Sequence, residues 1–305
     1  MRNDRGMVLL NALIVVLVLA SVSAALLTRS GAAMMRAASV QDAEQLDHHL
    51  DAAESLVRLL LADTGRNGQI VHTRQDWAAG DHLYRIGDGQ VRIRITDLQG
   101  RMNVNWLAGA EDALVEGAFA ELFRRIDLPL ALLDEIRDYL APGGPRSLPV
   151  YLRRSFPVQP RGGAASTIED LRLVNGFDAT AFATLSDNAA ALPWDTRVNV
   201  NTAPAAVLEA LLAPFPAEVR TEFLRPDREG PVEHMKELRD LAIAVLETED
   251  LSGLPLDRMT VSSSWFAADI HAEHEGRVAS RRVILHRERL DDVRPSVVYR
   301  WALPD

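Results

Sequence analysis

The chain has 305 residues, 48% of them hydrophobic and 25% charged, enough to bury a core and too apolar for a disordered tail. Its net charge of −10 makes it a poor default candidate for gripping phosphate backbones. The absence of cysteine excludes disulfides, thiolate metal sites, iron–sulfur clusters and cysteine nucleophiles together.

Arg2 and Arg5 open the chain and Gly6 precedes an uncharged run from Met7 to Leu27. Thirteen residues of that run are Leu, Ile or Val. They supply roughly −4 to −8 kcal/mol for insertion into a bilayer, so the run predicts a membrane-spanning helix. From Gln41 to Leu61 the apolar positions Ala43, Leu46, Leu50, Ala53, Val57 and Leu60 recur at steps of three and four. Asp42, Glu44, Asp47, Asp51, Glu54 and Arg58 fall on the opposite face. No proline interrupts this region, which predicts one long helix, apolar all round and then amphipathic, stopping at Gly65 with Asn67-Gly68 beyond. An uncleaved anchor, a signal peptide cut near Val22-Ser23-Ala24, and cleavage between Gly6 and Met7 are the processing routes to weigh. A continuous helix beyond Leu27 argues against the second. Arg29 and Arg36 on the far side leave orientation unfixed by charge.

Residues 83–97 predict a hairpin turning at Gly87-Asp88-Gly89, with Val91, Ile93 and Ile95 alternating with Arg92, Arg94 and Thr96. From Asn105 to Thr248 the pattern is helical: 111–126, 130–140, 168–174, 179–185, 204–212, 217–224 and 232–246, with a long Pro- and Gly-rich loop at 141–165. Alternation returns with Phe266, Ala268, Ile270 and Ala272, a turn at His274-Glu275-Gly276, and Val297, Tyr299 and Trp301. Strands on both sides of a helical block predict an α+β fold with a helical domain inserted between its strands. Asn105 and Asn201 (or Thr202) stand just before predicted helices and are candidate caps.

Four features, in order, resemble the K pseudopilins of bacterial type II secretion. They are the basic leader ending at Gly6 with its long helix, Asp97–Asn105 (D-x-x-G-R-x-N-x-N), Ile168–Gly176, and Arg197–Leu208 (N-x-N-T-A-P-x-x-V-L). The resemblance implies a type IV pilin-like α+β fold: a long N-terminal helix packed on an antiparallel sheet, with an inserted all-α domain of helix-hairpin-helix or SAM-like type. It divides the chain into leader 1–6, transmembrane helix 7–27, an α+β domain of 28–100 and 257–305, and the inserted domain 101–256. It implies prepilin peptidase cleavage between Gly6 and Met7 and N-methylation of Met7. Asn11 stands where pilins usually carry glutamate, a departure the K subunits share. The implied partners are the I and J minor pseudopilins, prepilin peptidase and the inner membrane, with the globular part in the periplasm and no nucleic acid. The implied role is assembly at the tip of the pseudopilus to support protein export.

The competing function is a membrane-anchored helix-hairpin-helix DNA-binding module at Leu171–Phe177 and Asn201–Ala213, which would need basic residues near its amides. Asp170, Asp178, Asp187 and Asp195 surround it instead, against Arg172 and Arg197. His271 and His274 fall on opposite faces of a strand, His48 and His49 diverge on a helix, and both pairs read as solvated. Glu247, Glu249 and Asp250 lack the spacing of an EF-hand loop. Some K pseudopilins bind calcium, so calcium enters by resemblance with no ligands assigned, since Ala141–Arg146 offers no carboxylate. No G-x-S-x-G, P-loop or H-E-x-x-H motif occurs, and Ser262-Ser263-Ser264 reads as a solvated strand edge, so no catalytic residue is assigned.

Overall fold

The structure, a computed structural model, describes residues 4–66, 70–225, 229–288 and 295–303. Leader residues Met1–Asn3 and the helix-stop pair Asn67-Gly68 lie outside the described residues. The long N-terminal helix α1 (Asp4–Arg66) runs unbroken for 63 residues, about 95 Å at the α-helical rise. Among the described residues of its first half none is buried, and Leu13, Leu17 and Leu27 are 66–74% exposed. Its second half buries Leu46, Leu50, Ala53, Val57 and Leu61 against a sheet.

That sheet has five antiparallel strands in the order β1-β2-β7-β8-β9. β1 (Asp81–Ile86) and β2 (Gly89–Asp97) form the expected hairpin; β7 (Trp265–His274), β8 (Arg277–His286) and β9 (Ser296–Ala302) complete it. β2 buries every second residue, Val91, Ile93 and Ile95, on the face that meets α1. Phe266, Ala268, Ile270 and Ala272 of β7 do the same beside it.

Between β2 and β7 the chain builds a helical block around a separate core, centred on Phe119, Leu122, Ile136, Leu140, Tyr151 and Leu171. Its two-residue strands β3 (Met102–Asn103) and β4 (Ala189–Ala190) pair in parallel. So do β5 (Val198–Asn199) and β6 (Met259–Thr260), which join the block to the strand region. The helices are α2 (Ala113–Arg125), α3 (Leu130–Leu140), α4 (Leu148–Leu152), α5 (Ala179–Asn188), α6 (Ala205–Leu211), α7 (Ala217–Phe223) and α8 (Lys236–Leu246). The loop expected at 141–165 contains α4, and the helix expected at 168–174 is a 3-10 turn, Ile168–Leu173. A third small cluster, Leu98, Ala190, Leu192, Ala267 and Ile284, packs the block against the sheet.

Two local expectations fail. Glu54, placed on the solvent face of α1, is 5% exposed and pairs bidentately with Arg300 of β9 at 2.9 and 2.8 Å. His49, read as solvated, is 1% exposed and meets His274 edge to face, ring centroids 5.3 Å apart. The ring fits because Gly89 has no side chain: a Cβ there would lie 2.4 Å from His49 Cε1.

Candidate functional site

Gly6, Met7 and Asn11 all lie in the helical N-terminal turns of α1, with Met7 and Asn11 exposed. Among the described residues, α1 is the one helix long and apolar enough to cross a membrane, and its most apolar window buries nothing within the protein. An apolar surface of this length has no partner in the chain and is suited to lipid or to neighbouring helices.

The two asparagine-rich motifs, nearly a hundred residues apart, meet at Asp97. This carboxylate lies at the end of β2. Oδ1 accepts from the backbone N–H of Gln99 at 2.8 Å. Oδ2 accepts from the Thr202 and Ser263 hydroxyls at 2.6 and 2.5 Å and from the Asn199 amide at 3.2 Å. Burial pushes the Asp97 carboxyl up from its ordinary value, while these four donors pull it back down. Asn199 also donates to the carbonyl of Val71, tying the segment after α1 into the same knot. Gln99 binds the Arg197 carbonyl at 3.0 Å and accepts from the N–H of Ser264 at 2.7 Å. Gly100 is in close contact with the other motif, since a Cβ would lie 2.7 Å from the Thr202 carbonyl oxygen. Ser263 is therefore buried at the junction rather than on a solvated edge.

Asn105 and Asn201 are not helix caps, although Asn103 caps the 3-10 turn Val104–Ala108 by accepting from Asn105 N. Asn105 is bound to both the N–H and carbonyl of Ala165 and to the carbonyl of Leu192. Asn201 makes the same two-sided clamp on Val232. Asp112 caps α2 instead, and Pro204 precedes α6. The side-chain amide satisfies the N–H and C=O of one residue at once, which an ionised carboxylate, with acceptors only, could not. The motif residues thus hold irregular segments in place. The sequence missed this because both partners of each clamp are distant.

The residues where some K pseudopilins bind calcium do not fit that ion here. After α3 the Asp138 carboxylate already accepts from Arg146 N and from Ser147 N and Oγ, and Ala141–Pro145 brings no second carboxylate. Among the described residues no group of three or more metal-ligating His, Asp or Glu gathers. The DNA-binding reading meets a similar obstacle. Asp178 caps α5 through Ala181 N at 2.7 Å, placing a carboxylate where a phosphate would sit, and Arg172 stacks over Phe182.

Residues 100–194 match the family model described as type II secretion system protein K. Curated relatives include type II secretion system protein K of Klebsiella pneumoniae, 28% identical over 71% of this chain and 72% of its own length. The Pseudomonas aeruginosa PAO1 protein of the same name is 28% identical over 75% of this chain and 74% of its own. The crystal structure of the GspK-GspI-GspJ complex from the enterotoxigenic Escherichia coli type 2 secretion system contains a chain matched over its full length. It covers 88% of this chain with a TM-score of 0.74 at 22% identity, a likeness of fold. The likeness thus runs from the Asp97 and Asn199 motifs through a family model over residues 100–194 to curated relatives and a shared α+β fold, and what this chain is similar to throughout is type II secretion system protein K.

Proposed function

We propose that the chain is a minor pseudopilin that assembles with the I and J minor pseudopilins at the tip of a periplasmic pseudopilus and supports protein export across the outer membrane. The observation that carries this reading is the division of α1 into an unpacked apolar half and a half docked on the sheet. On this reading prepilin peptidase removes Met1–Gly6 and Met7 becomes the N-methylated terminus. The Met7–Leu27 segment then anchors the subunit in the inner membrane, single-pass, with the globular part in the periplasm. On assembly the same apolar surface moves from lipid into the filament core, where other subunits' helices replace acyl chains at little cost in apolar exposure. Residues 101–256 act as a domain inserted into the α+β domain of 28–100 and 257–305. A block of this size on the sheet hinders a further subunit from stacking above it, which suits a tip position. Asn11 in place of glutamate fits the same position, because a tip subunit has no neighbour above whose terminal amine needs a carboxylate. The role is structural, with no catalytic residue assigned.

The test is the intact mass and N-terminal sequence of the membrane-extracted protein, with and without prepilin peptidase. A terminus at Met7 that depends on the peptidase is expected. A retained Met1 in the presence of the peptidase, or a terminus after Ala24, would overturn the reading. Co-purification of I and J with the processed chain then tests the assembly step.

A further inference from the structure

The face of the sheet turned away from α1 carries a row of alternating charge. Asp81, Arg94, Asp269 and Arg282 stand side by side in register on β1, β2, β7 and β8. Each is paired: Arg94 donates to Asp81 at 2.7 Å, and Arg282 forks onto both oxygens of Asp269 at 2.5 and 2.7 Å. Above this row the helical block leaves a cleft of about 190 Å³, lined on its apolar side by Leu98, Leu192, Trp265 and Ile284. At about 30 Å³ per water, that is room for one small organic group.

Arg101 also lines the cleft, and it is different. Among the described residues its guanidinium donates no hydrogen bond and closes no ion pair. The carboxylates of Asp187, Asp269 and Asp97 attract it and the Arg282 guanidinium repels it, none of them through a hydrogen bond. Burial lowers its pKa from the ordinary value, the largest influence on the group. Arg101 is only partly exposed, and a partly desolvated guanidinium that repels a second one is unfavourable until an anion satisfies its planar donor edge.

We propose that this cleft binds one carboxylate carried on a short apolar stem, the carboxylate held by Arg101 and the stem lying between Leu98, Leu192, Trp265 and Ile284. The chemistry suits either a free branched monocarboxylic acid or the C-terminal residue of a peptide, and the probes separate the two. Asp187 is exposed at the cleft rim and is the internal competitor for Arg101.

The experiment is calorimetric titration of the full-length chain in detergent micelles with three probes: 4-methylpentanoate, N-acetyl-Gly-Leu with a free carboxylate, and the same peptide as its amide. Saturable binding of at least one carboxylate is expected, the tighter one naming the source, with the amide about tenfold weaker or worse, as loss of a charge-assisted bidentate pair requires. R101Q should abolish binding. R101K should retain part of it, which keeps the test valid if R101Q folds poorly. D187N should bind at least as tightly as the wild type. Equal binding of acid and amide, no binding of either acid, wild-type binding in R101Q, or loss of binding in D187N would each overturn the proposal.

Discussion

Thr202 donates its hydroxyl to Asp97 Oδ2 at 2.6 Å, closing a contact across 105 residues of sequence. That bond joins the last residue of β2 to the turn before α6, and Ser263 and Asn199 converge on the same oxygen. Replacing Asp97 with alanine strands the Gln99 N–H and the Ser263 hydroxyl in a dry site and leaves Thr202 only its long contact to the Asn199 carbonyl, while Asn199 keeps Val71, so a loss of about 3 kcal/mol is expected. Thr202→Val removes one donor and leaves the rest, for about 1–2 kcal/mol. Denaturant titration of the chain in micelles measures both; a D97A loss no larger than that of T202V would contradict the hub.

Gly100→Ala tests the same junction by sterics. The added methyl would meet the Thr202 backbone at 2.7 and 2.9 Å, and backbone held by that network cannot swing aside as a side chain can. We expect a loss of about 1–3 kcal/mol, in the range of overpacking, and enhanced amide exchange at residues 197–203. Unchanged exchange there would show that the two motifs can separate freely.

Glu54 offers a third prediction, on the α1–sheet interface. It is nearly buried, paired bidentately to Arg300 and also bonded to Arg58 at 3.1 Å. Glu54→Ala leaves Arg300 facing α1 without its carboxylate, but the Arg300 side chain is half exposed, so the expected loss is about 1–2 kcal/mol. Arg300→Gln should cost less, because Glu54 keeps Arg58. Hydrogen exchange across β9 reads the result, and equal protection in E54A and wild type would sink it.

Stability should also depend on pH through His49. Burial first, then the neighbouring His274, lowers its pKa below the ordinary 6.5. The folded state therefore holds the ring neutral while the unfolded chain begins to protonate near pH 6.5. The contribution is fully present above that pH and is lost as pH falls through 6.5 toward the depressed value. Replacing His49 with glutamine should flatten the stability profile below about pH 6.5. A variant whose profile keeps the wild-type slope would assign the acid sensitivity elsewhere.

Much of the fold was readable in the sequence. The three-and-four spacing of Leu46, Leu50, Ala53 and Val57 and the alternation of Val91, Ile93 and Ile95 encode which face is buried, and these residues form one core. Charge was less legible. Glu54 looked solvated because its stripe lies opposite the apolar one, yet β9 brings Arg300 around the helix to meet it. Ser263 and Asn201 looked like an edge and a cap for the same reason: a polar residue's partner is set by topology, and periodicity carries no information about it. Local propensity also hid the short strands β3 to β6, which exist only because distant segments meet.

The helical block leaves the sheet at Asp97 and returns at Phe266, residues that face each other in the β2–β7 register. In folding terms the block is a clasp. Pairing β2 with β7 otherwise requires closing a loop of more than 160 residues, an entropic toll that grows with the logarithm of length and slows non-local pairing. A block that folds first around its own core brings both stems together at the Asp97–Ser263 contact and shortens the effective loop to a few residues. Once the block has formed, the β2–β7 pairing becomes a nearly local contact rather than one across the middle of the sequence.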